Sequence, residues 1–233
     1  MKTVYWSPWY IPQDNEDWNL LFEEPENLFK HKATSYKNKY SNDKRLMDSL
    51  RCPAISDFAK NTFFSRNPMT TEMNIVDGNI EYIGQHYYNS RLNNNLGNSM
   101  TYGLPFIFFC EDDLELLFTG PYYSETNHTN YGTLTPGKFN ISKWFRPINL
   151  EFIIKDKYFK IEENEIMCYF NFLTSDKVVL KRFVLNDKLL KISQSCSSVN
   201  SWWQNVPLIK RYDRFLKTKT NKIVMKEIQN QIV

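Results

Sequence analysis

FNISKWFRPINLEFIIKDKYFKIEENEIMCYFNFLTSDKVVLKRFVL, residues 139–185, is the stretch that decides the fold. Runs rich in Ile, Val, Phe and Tyr alternate here with short polar breaks. This is the pattern of side chains that fit a pleated, half-buried surface, separated by turns. Four strands are predicted. In Ile148–Ile154 the residues Ile148, Leu150, Phe152 and Ile154 fall on one face, and Asn149, Glu151 and Ile153 on the other. After Lys155-Asp156-Lys157 comes a short strand, Tyr158–Ile161, and residues 166–173 and 178–183 supply the third and fourth. The acidic turn 162–165 and the polar turn 174–177 separate them. Taken in order, they predict an antiparallel meander whose inward rings and branched chains fill the interior.

Beyond Leu185 the apolar period lengthens. Residues Asp187–Ser197 are predicted as a helix that buries Leu189, Leu190 and Ile192. Pro207 opens a second, in which Leu208, Ile209, Tyr212, Phe215 and Leu216 recur at three and four residues. Residues 222–232 are weakly amphipathic. Upstream of the meander, GLPFIFFC (103–110) is a continuous apolar run suited to one buried central strand, and DLELLFT (113–119) follows it. The polar segments 85–102 and 120–138 are expected as long loops, of the kind that more often carry function. Asp77-Gly78 between two strand-like runs is the strongest hairpin signal in the chain, because glycine accepts positive φ without steric cost.

Nearer the start, Ile55 and Phe58 have the spacing of one helical turn and Thr62-Phe63-Phe64 reads as a strand. Lysine-rich residues 30–43 show no period and are expected as an exposed loop, preceded by a short helix opened by Pro25. Residues 4–11 are extended, and Pro8 and Pro12 place any strand there at a sheet edge, since proline cannot donate to a ladder. The fold class expected is mainly β (α+β): an antiparallel β-sandwich of cupin-like or jelly-roll-like layout, with helices near the N-terminus and at the C-terminus. A single domain over residues 1–233 is expected, its β core at about 60–185 and its helical segment at about 187–232.

Composition narrows the function classes. A chain of 233 residues with 16% aromatic residues predicts a core filled by Phe, Tyr and Trp. The formal charge of +3, from 29 basic and 26 acidic residues, argues against general nucleic-acid binding, which needs a concentrated basic surface. Cys52, Cys110, Cys168 and Cys196 are widely spaced and form no C-x-x-C pair, so free thiols in a reducing compartment are expected. No apolar run nears the ~20 residues that span a bilayer, and the N-terminal residues lack a secretory signal's apolar core. A protein without a membrane partner is expected.

The motifs of phosphate loops, nucleophile elbows and H-E-x-x-H metalloproteases are missing. No cofactor is expected. A metal held by two histidines and a carboxylate is possible on paper from His86, His128 and Glu111, or Asp112 or Asp113. The readier reading is two solvent-facing loop histidines and an acidic turn. Arg146, in KWFRP, is the better candidate: a guanidinium flanked by Trp144 and Phe145 can clamp a carboxylate or phosphate while its stem is covered. The competing reading pairs it with an internal carboxylate. Arg146, Trp144, Glu151 and Tyr169 are the candidate ligand-binding residues. Trp202-Trp203, Trp144, Tyr122, Tyr123 and Tyr131 could form an aromatic platform, although core packing accounts for them more simply.

Several of these segments carry a resemblance. WSPWY (6–10), RCPAISDFAKNTF (51–63), GLPFIFFCEDDLEL (103–116), YGTLTPGKFNISKWFRPINLEF (131–152), YFNF (169–172), LKRF (180–183) and VPLIKRYDRF (206–215) together resemble a protein family of tailed marine phages, notably T4-like cyanophages. The likeness spans nearly the whole chain and is weakest in residues 30–45 and 85–102. The family carries no established activity, so no catalytic residues pass across. What it implies is a place in the host bacterial cytoplasm or in the virion. The function expected is that of a non-enzymatic accessory protein binding a host or virion protein. The alternative is a cupin-like small-ligand-binding protein or metal-dependent enzyme with its site at the mouth of the sandwich.

Overall fold

The computed structural model describes residues 1–9, 23–39, 52–84, 90–93, 98–104, 106–197 and 207–233. Strand structure dominates it. In chain order the elements are β1 (Lys2–Pro8), β2 (Glu26–Asn27), α1 (Leu28–Lys39), α2 (Pro53–Lys60), β3 (Thr62–Arg66), β4 (Thr71–Val76), β5 (Asn79–Ile83) and β6 (Ser90–Asn93). Then come β7 (Ser99–Leu104), β8 (Phe106–Phe109), β9 (Glu115–Thr119), a 3-10 turn (His128–Asn130), β10 (Gly132–Thr135) and β11 (Gly137–Asn140). The chain finishes with β12 (Ile148–Ile154), β13 (Tyr158–Ile161), β14 (Ile166–Phe172), β15 (Val178–Arg182), α3 (Asp187–Ser197), α4 (Leu208–Lys217) and α5 (Thr220–Gln229).

All four strands read from the central stretch are present, but no two of them pair with each other. β12 lies between β10 and β7, β13 beside β4, β14 between β9 and β3, and β15 beside β1, so each belongs to a different sheet. The expected meander is therefore corrected. Alternation along a strand reports which face is buried and carries no information about the neighbour. Asn61 shows how one break is diverted from a hairpin. Its Nδ2 donates to the carbonyls of Thr174 and Asp176 at 2.8 Å each, and its Oδ1 accepts from Val178 N at 3.1 Å, so the 173–177 turn is bound to the α2–β3 junction. β15 then runs parallel to β1, Lys2 opposite Val178. The hairpin predicted from Asp77-Gly78 does form, between β4 and β5, with φ of 50° and 76° at the two turn residues.

Five further expectations need correction. β1 is the central strand of its sheet, between β15 and β8; Pro8 is its last residue, so no interior ladder bond is lost. Residues 103–110 are divided between two strands of different sheets, β7 against β12 and β8 against β1, on either side of Pro105. Part of the supposed loop 85–102 forms β6 and the start of β7, where Met100 and Tyr102 point inward and are fully buried. Part of 120–138 forms β10 and β11. Residues 28–39 are helical, where a loop was expected after residue 29; Asn27 Oδ1 accepts from Lys30 N at 3.1 Å and caps that helix.

All four sheets feed one core: Trp6 and Phe108 from the β1 sheet, Phe63 and Phe170 from the β14 sheet, Met73 and Phe159 from the β4 sheet, and Tyr102 and Phe152 from the β12 sheet. β14 is buried on both faces along its whole length. A bulge between Ile166 and Cys168 lets the consecutive residues Met167 and Cys168 both face the main core, while Ile166 and Tyr169 face a smaller cluster with Leu28, Ala59 and Phe64. β8 is likewise two-sided. Phe106 and Phe108 enter the main core; Ile107 and Phe109 meet Phe183, Leu189, Phe215, Val224 and Ile228 from the C-terminal segment. The tail helices thus cover the outer face of the β1 sheet. Leu189 is buried as expected, but Ile209, Leu216 and Ile223 of the predicted stripes are exposed.

Candidate functional site

The candidate ligand-binding residues fall in three separate places. Tyr169 is fully buried on β14, on the face turned towards α1 and α2. Its hydroxyl lies 2.9 Å from Ser124 Oγ, and Tyr122 and Tyr123 pack over its ring with centroids 5.7 and 6.3 Å away. Phe58 of α2 closes the group at 6.3 Å from Tyr122 and 5.9 Å from Tyr123. Lys32 of α1 donates from Nζ to the Tyr123 carbonyl at 2.5 Å. Burial raises the Tyr169 hydroxyl and lowers the Lys32 ammonium from their ordinary pKa values. The outer members remain open to solvent: Tyr122 is 62% exposed and Tyr123 39%. A half-wet aromatic surface results, with a buried tyrosine as its base.

Arg146 and Trp144 lie on the opposite side of the core, against the tail helices. Trp144 is buried with its ring 4.3 Å from that of Tyr212, and the Arg146 guanidinium carbon stands 6.0 Å from the Trp144 ring centre. Among the described residues, Arg146 Nε donates to the Pro147 carbonyl at 3.5 Å. Among the described residues no carboxylate pairs with it, and burial lowers its pKa. The internal ion pair considered for it is therefore not seen among those residues. Glu151 stands apart on β12, where Oε1 accepts from Ser99 Oγ at 2.8 Å.

His128 is buried rather than solvent-facing, at 1% exposure. Glu165 Oε1 sits 2.9 Å from its Nδ1 and accepts from its backbone N at 2.8 Å, while Nε2 has no hydrogen-bond partner among the described residues. The ring lies edge-on to Phe152. Glu165 was read only as part of an acidic turn. Nothing local in the sequence joins it to a histidine 37 positions away. Glu111 is exposed beyond the end of β8, in another sheet, and His86 and Trp202-Trp203 lie outside the described residues. No group of three or more His, Cys, Asp or Glu side chains among the described residues is placed to hold a metal ion. No described helix is long and apolar enough to cross a membrane.

The aromatic platform considered from the sequence is only partly assembled. Tyr122 and Tyr123 join Tyr169, Tyr131 pairs with Tyr158 at 5.1 Å, and Trp144 belongs to the tail cluster. Phe58 was the member missed. No protein-family model matches the chain, and no curated protein matches it.

Proposed function

We propose that this chain is a non-enzymatic binding protein whose Tyr122–Tyr123 surface docks on a protein partner, in keeping with the phage resemblance a host or virion protein. The observation that carries the reading is the pair of exposed tyrosines held on a buried base by Tyr169, Ser124, Phe58 and Lys32. Solvent-facing aromatics already packed on neighbouring rings have less freedom to lose on association, and tyrosine is over-represented among the residues that dominate interface energies. A near-neutral charge suits a protein contact better than a nucleic-acid one. The host cytoplasm or the virion is the proposed place of action.

Affinity capture from infected host cells with the wild type and a Tyr122→Ser/Tyr123→Ser variant tests this. A stoichiometric partner lost by the variant, at unchanged melting temperature, supports it; each tyrosine is expected to contribute about 2 kcal/mol to binding. A partner retained by the variant, or none at all, overturns it.

A second reading, a cupin-like or jelly-roll protein that binds a small ligand or metal near His128, draws on one observation: the Nε2 of that buried ring, which has no partner among the described residues. Elemental analysis and native mass spectrometry of the purified protein check it. A stoichiometric metal or metabolite lost in His128→Phe would favour it over docking.

A further inference from the structure

The tail helices α4 and α5 carry a charge that the whole-chain balance conceals. Seven of the 29 basic residues and two of the 26 acidic ones fall in residues 207–233, which leaves 22 basic and 24 acidic residues elsewhere. The value of +3 thus sums a basic tail of +5 with a remainder of −2, and it does not count against a nucleic-acid contact on the tail itself. α4 buries Phe215, and α5 buries Val224, Met225 and Ile228, in the cluster that covers the β1 sheet. On the opposite side of each helix lies an exposed stripe. α4 presents Lys210, Asp213, Arg214 and Lys217; α5 with its N-cap residue presents Lys219, Lys222, Ile223 and Lys226. Both sets have the spacing i, i+3, i+4, i+7 of a single helix face. None of the six cations has an ion-pair partner among the described residues, and the acid of α5, Glu227, is taken by Lys188 and Asn186.

Three features make this face unfavourable for the protein alone. Lys210 and Arg214, Arg214 and Lys217, Lys219 and Lys222, and Lys222 and Lys226 are like charges three or four residues apart, where opposite charges would stabilise a helix. Lys210 and Lys222 stand in first turns that hold no acidic residue, against the helix dipole. Lys219 has φ of 55°, whereas the other two non-glycine residues with positive φ are Asp77 and Asn164, types that adopt this conformation more readily. Arg146, which shares Trp144 with Tyr212 of α4, is a further cation that meets no carboxylate among the described residues. The counter-charge is therefore external. The eight positions of the two stripes hold six cations, Asp213 and Ile223, with no ring to stack on unpaired bases and no amide or hydroxyl to read base edges or a ribose 2′-hydroxyl. Lysine predominates, a residue depleted at protein interfaces and common against phosphates. We propose that the α4–α5 face docks on the phosphate backbone of duplex DNA without reading its sequence. The inference is independent of the tyrosine surface.

The test is fluorescence anisotropy of the full-length protein with two labelled DNA duplexes of unrelated sequence, each about 20 base pairs long, at about 50 to 200 mM sodium chloride. Equal affinities for the two duplexes are expected. The logarithm of the binding constant should fall against that of the salt concentration with a slope of about −5, as six neutralised phosphates require. Lys210→Gln/Arg214→Gln/Lys217→Gln and Lys219→Asn/Lys222→Gln/Lys226→Gln are each expected to weaken binding at least about tenfold at the lowest salt and to halve the slope. Their melting temperatures should equal or exceed that of the wild type, because like charges are removed. Lys157→Gln/Lys177→Gln, at exposed lysines outside the tail, should bind as the wild type does, and so should Tyr122→Ser/Tyr123→Ser, which separates this face from the tyrosine surface. Absence of binding at about 50 mM salt, a slope shallower than about −2, or a strong preference for one duplex would each overturn the proposal. So would wild-type affinity or lowered melting temperatures in both triple variants, or vesicles of about one-third phosphatidylserine in phosphatidylcholine competing as well as unlabelled duplex.

Discussion

Glu165 takes two hydrogen bonds from His128, from the ring Nδ1 at 2.9 Å and from the backbone N at 2.8 Å, both on the same carboxylate oxygen. Its other oxygen accepts from Glu162 N at 2.8 Å. Burial alone would raise this carboxyl, but the three hydrogen bonds outweigh it and hold the group below the ordinary carboxylate range. The folded state therefore binds this proton more weakly than the unfolded chain. Its stabilising contribution is complete above the unfolded carboxyl value and is lost as pH falls through the folded one.

Glu165→Gln is accordingly expected to cost about 2 kcal/mol near pH 7 and to lose stability less steeply than the wild type as pH falls below about 5. Asp113, held low by Asn140, and Glu227, held low by Lys188, titrate in the same direction but are present in both proteins and cancel in the comparison. Urea melts at stepped pH measure the difference. Parallel stability–pH curves would show that the Glu165 carboxylate does not lock the 128–130 and 162–165 turns together.

Arg146 provides the second prediction. A half-buried guanidinium with no carboxylate beside it among the described residues is a desolvated charge, and exchanging such a charge for an apolar side chain of similar length is commonly neutral or stabilising. Arg146→Met should therefore fold, with stability within about 1 kcal/mol of the wild type or above it. A drop of several kcal/mol in a denaturant melt would mean that the cation is paired inside the molecule after all.

The two preceding residues show what a sequence can and cannot disclose. The strands of the central stretch were legible, because Phe152 or Phe170 must turn away from water whatever lies alongside. The pairing of those strands was not, because it rests on contacts such as Asn61 with Val178, 117 residues apart. Met100 and Tyr102 were hidden for another reason: two inward residues in an asparagine-rich segment are too few to register as alternation. Among the candidate residues, Arg146 and Trp144, close in sequence, also lie close in the fold. Tyr169 was separated from them only by the fold, and the neighbours that give it a surface, Phe58 and Ser124, come from segments that carry no motif of their own.

Gly137 supports a third prediction. It stands opposite Phe118 across the β9–β11 ladder, and a Cβ there would lie 2.2 Å from the Phe118 ring. That ring is partly buried and packs against the main core, so moving aside for the added methyl gives up part of that contact. Gly137→Ala is expected to cost about 1–3 kcal/mol. Gly120→Ala, whose Cβ would meet Leu134 Cβ only at 4.0 Å, serves as the control and should fall within about 0.5 kcal/mol of the wild type. Equal melting temperatures for the two variants would show that Phe118 moves aside freely.

The cysteines give the last. All four are free; Cys52 is exposed, whereas Cys110, Cys168 and Cys196 are buried, at 2%, 0% and 7% exposure. Burial pushes those three thiols above their ordinary pKa, and a thiol reacts through its thiolate, so they are doubly protected. Treatment of the native protein with an aromatic disulfide reagent should release one fast equivalent, abolished by Cys52→Ser. The remaining three should react only at the rate of unfolding, and together once denaturant is added. Cys168 is the most informative of them, because it faces the main core at the β14 bulge and cannot be reached without separating sheets. Any fast equivalent in the Cys52→Ser protein would place at least one of the strands or helices over these thiols in motion on the timescale of the reaction.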